Sequence, residues 1–266
     1  MRNVLWFSCG VSSAIVAWLC KDELHDIIYC HVDDQHEDSL RFLHDIEKLI
    51  GREITILQAP EKDVDAVCRK TKSITLLHYA ACTNVLKKQV RVNWQNSQPI
   101  RNFTYFWGMD CNETDRAKRL PDALRGCTSP ATKHRFPLIE KNLSKQDCHA
   151  MMKRLGVKRP TMYDLGYNNN NCIGCLKGGM GYWNKIRVDF PDVFASRAKL
   201  ERDIGHSCIK GVFLDELDPE AGRNDKPIDM SCGIICEIAL MEEMEREAQK
   251  DNDELYVRAT QKRGVK

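Results

Sequence analysis

Apolar runs alternate with amphipathic stretches along the first half of the chain. Asn3 to Ser8 is a short apolar run that ends in a turn of small residues, and Ser13 to Cys20 follows with the look of an apolar helix. Asp26 to Val32 reads as a second buried strand, ending in Asp33 and Asp34. Asp38 to Ile50 sets Leu40, Leu43, Ile46, Leu49 and Ile50 at helical spacing and closes on Gly51. Ile54 to Leu57 predicts a third strand, the stretches Asp63 to Lys70 and Cys82 to Val92 predict helices, and Asn102 to Gly108 predicts a fourth strand. This alternation predicts an α/β fold, a mostly parallel sheet with helices on both faces. Ligands of such sheets bind at the carboxyl ends of the strands, which singles out the turns after Ser8, Val32 and Phe106.

The second half has a different texture. Helices are predicted over Ser144 to Leu155, Trp183 to Phe190, Val193 to Ile204 and Glu237 to about Lys250. The run Tyr167-Asn168-Asn169-Asn170-Asn171 is too polar and turn-prone for a helix. Gly211 to Asp229, with Pro219, Gly222 and Pro227, reads as an irregular linker, and the tail after Asp251 as frayed. The expected organisation is an α/β domain over 1–143 and a mostly helical region over 144–266 packed on it.

Composition narrows the chemistry. With 266 residues, 42% of them hydrophobic, the chain can bury a substantial core. A net charge of +2 gives no reason to expect nucleic acid or a membrane as partner, and no apolar stretch approaches a membrane span. The 13 cysteines, without a secretory leader, point to a reducing cytoplasm. Clustered thiols in that setting mean metal or redox chemistry more often than disulfides.

Three segments carry candidate chemistry. Ser8-Cys9-Gly10-Val11-Ser12-Ser13 joins a strand to a helix, where exposed backbone N–H groups and the helix dipole attract an anion. The alternative is an ordinary turn capped by Ser12 or Ser13. Cys172-Ile173-Gly174-Cys175 offers two thiolates on one tight turn, a pattern shared by zinc, iron–sulfur and dithiol sites. Cys232 and Cys236 flank a small apolar stretch near the predicted last helix.

The order of these segments resembles the sulfonucleotide reductases, the phosphoadenosine phosphosulfate (PAPS) and adenosine phosphosulfate (APS) reductase family of the adenine nucleotide α-hydrolase-like superfamily. The first turn is similar to the superfamily's Ser-Gly-Gly-x-Asp-Ser phosphate loop, with Cys9 in place of the first Gly and Ser12 in place of the Asp. Tyr163-Asp164-Leu165-Gly166-Tyr167 followed by Cys172 and Cys175 resembles the cluster-binding segment of APS reductases. Ala81-Cys82 with Lys87 resembles their tandem Cys-Cys and Lys, with Ala81 replacing one cysteine. Gly108 to Ala117 is similar to their nucleotide-contacting Gly-x-Arg-x-x-Glu-Ser segment, with Asp110 for Arg and with Glu113 and Arg116 retained. Ser231-Cys232-Gly233-Ile234 resembles the Glu-Cys-Gly-Ile nucleophile segment.

The resemblance implies a Rossmann-like fold and an adenine nucleotide (APS, PAPS or ATP) at Ser8, Cys9, Gly10, Ser12, Ser13, Asp33, Lys87, Glu113 and Arg116. It implies a 4Fe–4S cluster on Cys82, Cys172 and Cys175, with Cys208, Cys232 or Cys236 as a fourth ligand or one iron left open. Cys232 then attacks the sulfonate, and Cys236 or a thioredoxin-like donor resolves the product. The alternatives are an ATP-dependent sulfur transferase, for which nucleic acid becomes a partner, and a non-catalytic nucleotide- and cluster-binding sensor.

Overall fold

The computed structural model describes residues 1–76, 79–100, 102–126, 128–129, 131–223, 228, 230, 238–239, 241–250 and 253. In chain order, β1 (Arg2–Phe7) leads to α1 (Val11–Leu19), β2 (Asp26–His31) to α2 (Asp38–Ile50) and β3 (Thr55–Gln58) to α3 (Val64–Thr71). A hairpin of β4 (Thr75–Leu76) and β5 (Tyr79–Ala80) runs into α4 (Ala81–Thr83), a π-helical stretch over Asn84–Gln89 and α5 (Val90–Ser97). Next come β6 (Phe103–Phe106), α6 (Thr114–Ala123), β7 (Lys133–Arg135), α7 (Pro137–Glu140) and α8 (Lys145–Arg154). The last labelled helices are α9 (Thr161–Asp164), α10 (Met180–Asp189) and α11 (Pro191–Ile204), and residues 241–250 are also helical.

The main sheet has the order β3-β2-β1-β6-β7, with every neighbouring pair parallel. Its residues alternate between two cores, as the two-residue period of a strand requires. Leu5 and Phe7 face a cluster with α1, α2 and α8, whereas Val4, Trp6, Phe103 and Tyr105 pack under Trp94 of α5. Helix α1 is apolar nearly all round because it lies inside: every residue but Ser12 is buried between the sheet and α8. Each fully buried Ile, Leu or Val contributes about 1.5–3 kcal/mol relative to exposure. The strand order reverses beside β1, so the carboxyl ends of β1, β2 and β6 frame a crevice.

The expected α/β class and parallel sheet are present. Several details differ from the periodicity. Helix α1 starts at Val11 rather than Ser13, and its N-cap is Gly10 without a side-chain cap. Neither Ser12 nor Ser13 caps the helix; Ser13 Oγ instead donates to Gly10 O at 2.9 Å. The single helix expected over Cys82 to Val92 runs from Ala81 to Ser97 and is interrupted by the π-helical stretch. The short strand β7 pairs with β6 at the sheet edge. Ser144 does cap α8: its hydroxyl accepts from Asp147 N at 3.2 Å while Asp147 accepts from Ser144 N at 2.9 Å. Among the described residues, no helix is long and apolar enough to cross a membrane.

Candidate functional site

The turn between β1 and α1 is held from several sides. Ser13 Oγ accepts from Ser8 N at 3.1 Å and lies 3.0 Å from Ser8 Oγ, which closes the turn on itself. Cys9 has φ 56, the left-handed region, where a side chain costs about 1–2 kcal/mol. Glycine at this position in the resembling family therefore has a conformational reason. A Cβ built on Gly108 would lie 2.7 Å from Ser13 Cα and N, so the turn after β6 touches the first turn of α1 backbone to backbone. The amides of Ser12 and Ser13, in that first turn, lack intrahelical acceptors and are available to an anion. The Val11 N–H is taken by the Tyr163 hydroxyl at 3.4 Å. Burial raises the pKa of the Cys148 thiol of α8 and holds it in its neutral form, with Ser12 opposing.

The carboxyl end of β2 supplies the neighbouring wall. Asp33 is exposed and accepts from Gln58 Nε2 at 2.5 Å. Asp34 turns inward, accepting from Val64 N at 2.6 Å and pairing with Arg197, a guanidinium 4% exposed on α11. A buried charge pair of this kind contributes little net stability but is costly to break.

The two-cysteine turn docks on this same strand end. Gln35 and Cys172 form an antiparallel bridge, and Ile173 N donates to Asp34 O at 2.8 Å. Asn170 reaches further, donating from Nδ2 to Cys9 O at 2.8 Å and to Ser39 Oγ at 3.0 Å. Gly174 has φ 69, and a Cβ there would lie 2.8 Å from Val193 Cγ1, so the turn needs glycine on both counts. The Tyr182 hydroxyl closes the turn, accepting from Cys175 N at 2.9 Å and donating to Cys172 O at 3.1 Å.

Cys82, at the start of the helical rod, completes a trio. Its thiol is pushed up by burial and then by the neighbouring Cys175. Cys172 is pushed up to about 12 by burial, with Lys87 opposing and Asp34, Cys175 and Cys82 adding to the rise. All three are free thiols, set among Ala80, Ala81, Leu86 and Leu176 with Lys87 and Lys177 close by. Among the described residues, no three His, Cys, Asp or Glu side chains close around a single ion. The donor set suits a larger sulfur-bridged cluster: soft ligands, apolar surroundings and cations to offset thiolate charge. Loading would release the protons that burial now retains on Cys82 and Cys172.

Compared with known proteins, the chain matches no family model and no curated sequence.

The other expected site residues divide clearly. Lys87 is exposed, and its positive charge opposes the rise in pKa of the Cys9, Cys82 and Cys172 thiols. Glu113 accepts from Asp110 N at 3.3 Å and from Arg116 Nη1 at 2.5 Å, with the Arg116 side chain 66% exposed. Cys208 N donates to a Glu201 carboxylate oxygen, and burial, then the Glu201 charge, raises the Cys208 thiol pKa. Cys232 and Cys236 lie outside the described residues. Sequence reading missed Tyr29, Gln35, Arg197 and Glu201, and named Tyr163 and Asn170 only as members of longer segments, without their contacts. Of these, Asn170 carried a signal in the Asn run, which nevertheless did not say which of the four asparagines turns inward.

Proposed function

We propose that the chain is a sulfonucleotide reductase-like enzyme, holding an adenine nucleotide at the phosphate loop beside an iron–sulfur cluster on Cys82, Cys172 and Cys175. One observation carries this reading: the cysteine turn and the phosphate loop form a single framework, joined by the Gln35–Cys172 bridge and by Asn170 on Cys9 O. A phosphate at the Ser12 and Ser13 amides would lie at the same strand ends as the thiols. The cluster, once bound, supplies a fixed, polarisable charge beside the substrate. Lys87 offers its ammonium to the anionic substrate, and Tyr163 and Asn170 hold the loop in register.

The bond changes proposed are those of thiol attack. The Cys232 thiolate forms a bond to the sulfonate sulfur, the bond from sulfur to the phosphate oxygen breaks, and the nucleoside monophosphate leaves. The Cys236 thiolate then attacks Cys232 sulfur, giving a disulfide and sulfite, and an external thioredoxin-like dithiol restores both thiols. Ala81, 1% exposed beside Cys82, leaves three thiols where four would close a cluster. That absence favours a second reading, sulfur transfer through an open iron.

Anaerobic purification with iron and sulfide analysis tests the shared part. Cys82→Ala, Cys172→Ala and Cys175→Ala each lose the iron, whereas Cys232→Ala retains it and loses turnover of APS or PAPS. Iron lost with Cys232→Ala removes the nucleophile assignment. A wild type that is free of iron when purified without oxygen removes the cluster.

A further inference from the structure

A cavity of about 330 Å³ lies at the end of α8, lined by its last turns, by the turn over residues 156–159, by Asp164 of α9 and by Met230. Its wall includes His149, which is 1% exposed and whose Nε2 has no hydrogen-bond partner among the described residues. Burial, then Arg159, lowers the ring's pKa to about 3, so at neutral pH it carries a single proton. Arg159 Nη1 lies 3.5 Å from His149 Nδ1, and a guanidinium only donates, which assigns that proton to Nε2. His149 thus brings to the cavity wall a buried N–H without an acceptor, a group that native proteins seldom leave unsatisfied.

The rest of the lining suits an anion. Lys153 and Lys158 are exposed, and the carboxylate there, Asp164, is already held by Arg159 Nε at 2.7 Å. The turn is fixed before any ligand arrives: Arg41 donates to Lys158 O at 2.8 Å and to Arg159 O at 3.2 Å, and Thr161 N donates to Asp38 at 2.8 Å. Met152, Val157 and Met230 add apolar surface. We propose that this cavity binds a small organic oxyanion, a carboxylate or phosphate on a short apolar body, with His149 Nε2 donating to the oxyanion and Lys153 and Lys158 supplying charge. A water molecule in the cavity would accept the same proton without calling on either lysine, so charge separates the two occupants. The His149 ring packs edge-on against Tyr163, centroids 4.5 Å apart, and the Tyr163 hydroxyl takes Val11 N. The occupant is therefore one ring removed from the turn after β1.

The full chain is titrated with hexanoate, butyl phosphate and hexanol, by calorimetry and by proton–nitrogen correlation spectra of the histidine rings. At least one anion shifts the His149 Nε2 signal saturably, and the tighter anion identifies the headgroup. Hexanol at the same concentration leaves the signal in place. Lys153→Ala combined with Lys158→Ala weakens the anion about tenfold, and both side chains are exposed, so folding is kept. His149→Phe retains a ring against Tyr163, removes the donor and also weakens the anion about tenfold. No shift of His149 with either anion overturns the proposal, whatever heat is recorded. Hexanol bound as tightly as hexanoate overturns it as well, and so does wild-type affinity in either variant.

Discussion

Gly108→Ala tests the geometry of the crevice most directly. The added Cβ would sit 2.7 Å from Ser13 Cα and N and 3.0 Å from Ser13 Cβ, where ordinary contact begins at 3.4 Å. About 0.7 Å must therefore come from main chain, because no flexible side chain can swing away. The loop is pinned on both sides: Trp107 N donates to Arg135 O at 3.1 Å and Cys111 N to Leu143 O at 2.9 Å. Overpacking of this kind costs about 1–3 kcal/mol. Taking about 2 kcal/mol and the entropy of unfolding of a chain this size, the expected fall in Tm is about 4–8 °C. The same displacement opens the first turn of α1, so AMP affinity falls more than Tm alone suggests. Thermal unfolding by circular dichroism, with AMP titration below the transition, measures both. Gly179→Ala is the comparison, since a Cβ there meets nothing within 4 Å and loses only the N-cap preference, below about 1 kcal/mol. Equal midpoints and equal AMP affinity in the two variants would refute the contact.

Asp34→Ala strands the buried Arg197 charge and the Val64 N–H together, and a loss of about 3–5 kcal/mol is expected in urea unfolding. A loss below about 1 kcal/mol would mean that the pair is solvated in the native protein. Gly174→Ala strains a left-handed position and drives a Cβ into Val193, so iron incorporation should fall with a smaller effect on overall stability. Full iron loading in that variant would separate the turn from the cluster. His149 is lowered to about 3, first by burial and then by Arg159, so between about pH 6.5 and 3 the unfolded chain binds a proton that the native protein does not. Stability from this group is thus present above its unfolded value and is lost as pH falls, by about 2–3 kcal/mol between pH 6.5 and 4.5. His149→Phe should flatten that limb in denaturant unfolding, and an unchanged acid limb would refute the assignment.

What the sequence revealed follows from what each element contacts. Strands β1, β2 and β6 are covered on both faces, so they read as unbroken apolar runs and were visible at once. Strand β7 has the sequence Lys-His-Arg at an edge, and no hydrophobic period marks it. The π-helical stretch after Cys82 is equally silent, because an i→i+5 bond is chosen by packing and leaves no composition signal. Arg197 and Glu201 look like a solvated helix face from their spacing. They are 4% and 0% exposed because Arg197 packs on Gly174 and pairs with Asp34, while Glu201 takes the Cys208 and Leu214 N–H groups, tertiary facts that no local pattern contains. Cysteine spacing located the turn itself, and Gly174 explains why the spacing holds.

The end of β2 does more to define the site than the turn after β1 does. Asp33 faces the crevice, the Asp34 side chain holds α3 and α11, its carbonyl takes Ile173, and Gln35 bridges Cys172. Three segments, α3, α11 and the cysteine turn, are thus aligned by two consecutive residues, Asp34 and Gln35. Most of these contacts are polar and directional, where apolar side chains of the same size would pack with more freedom. Such a network costs stability, because each member has to be satisfied, and in return it admits few alternative dockings. Under the proposed cluster the thiols have to converge from separate segments, and a small slip of the cysteine turn on an apolar surface would move Cys172 and Cys175 relative to Cys82. The turn after β1 is itself held from outside its own sequence, by Asn170 on Cys9 O and by the Tyr163 hydroxyl on Val11 N.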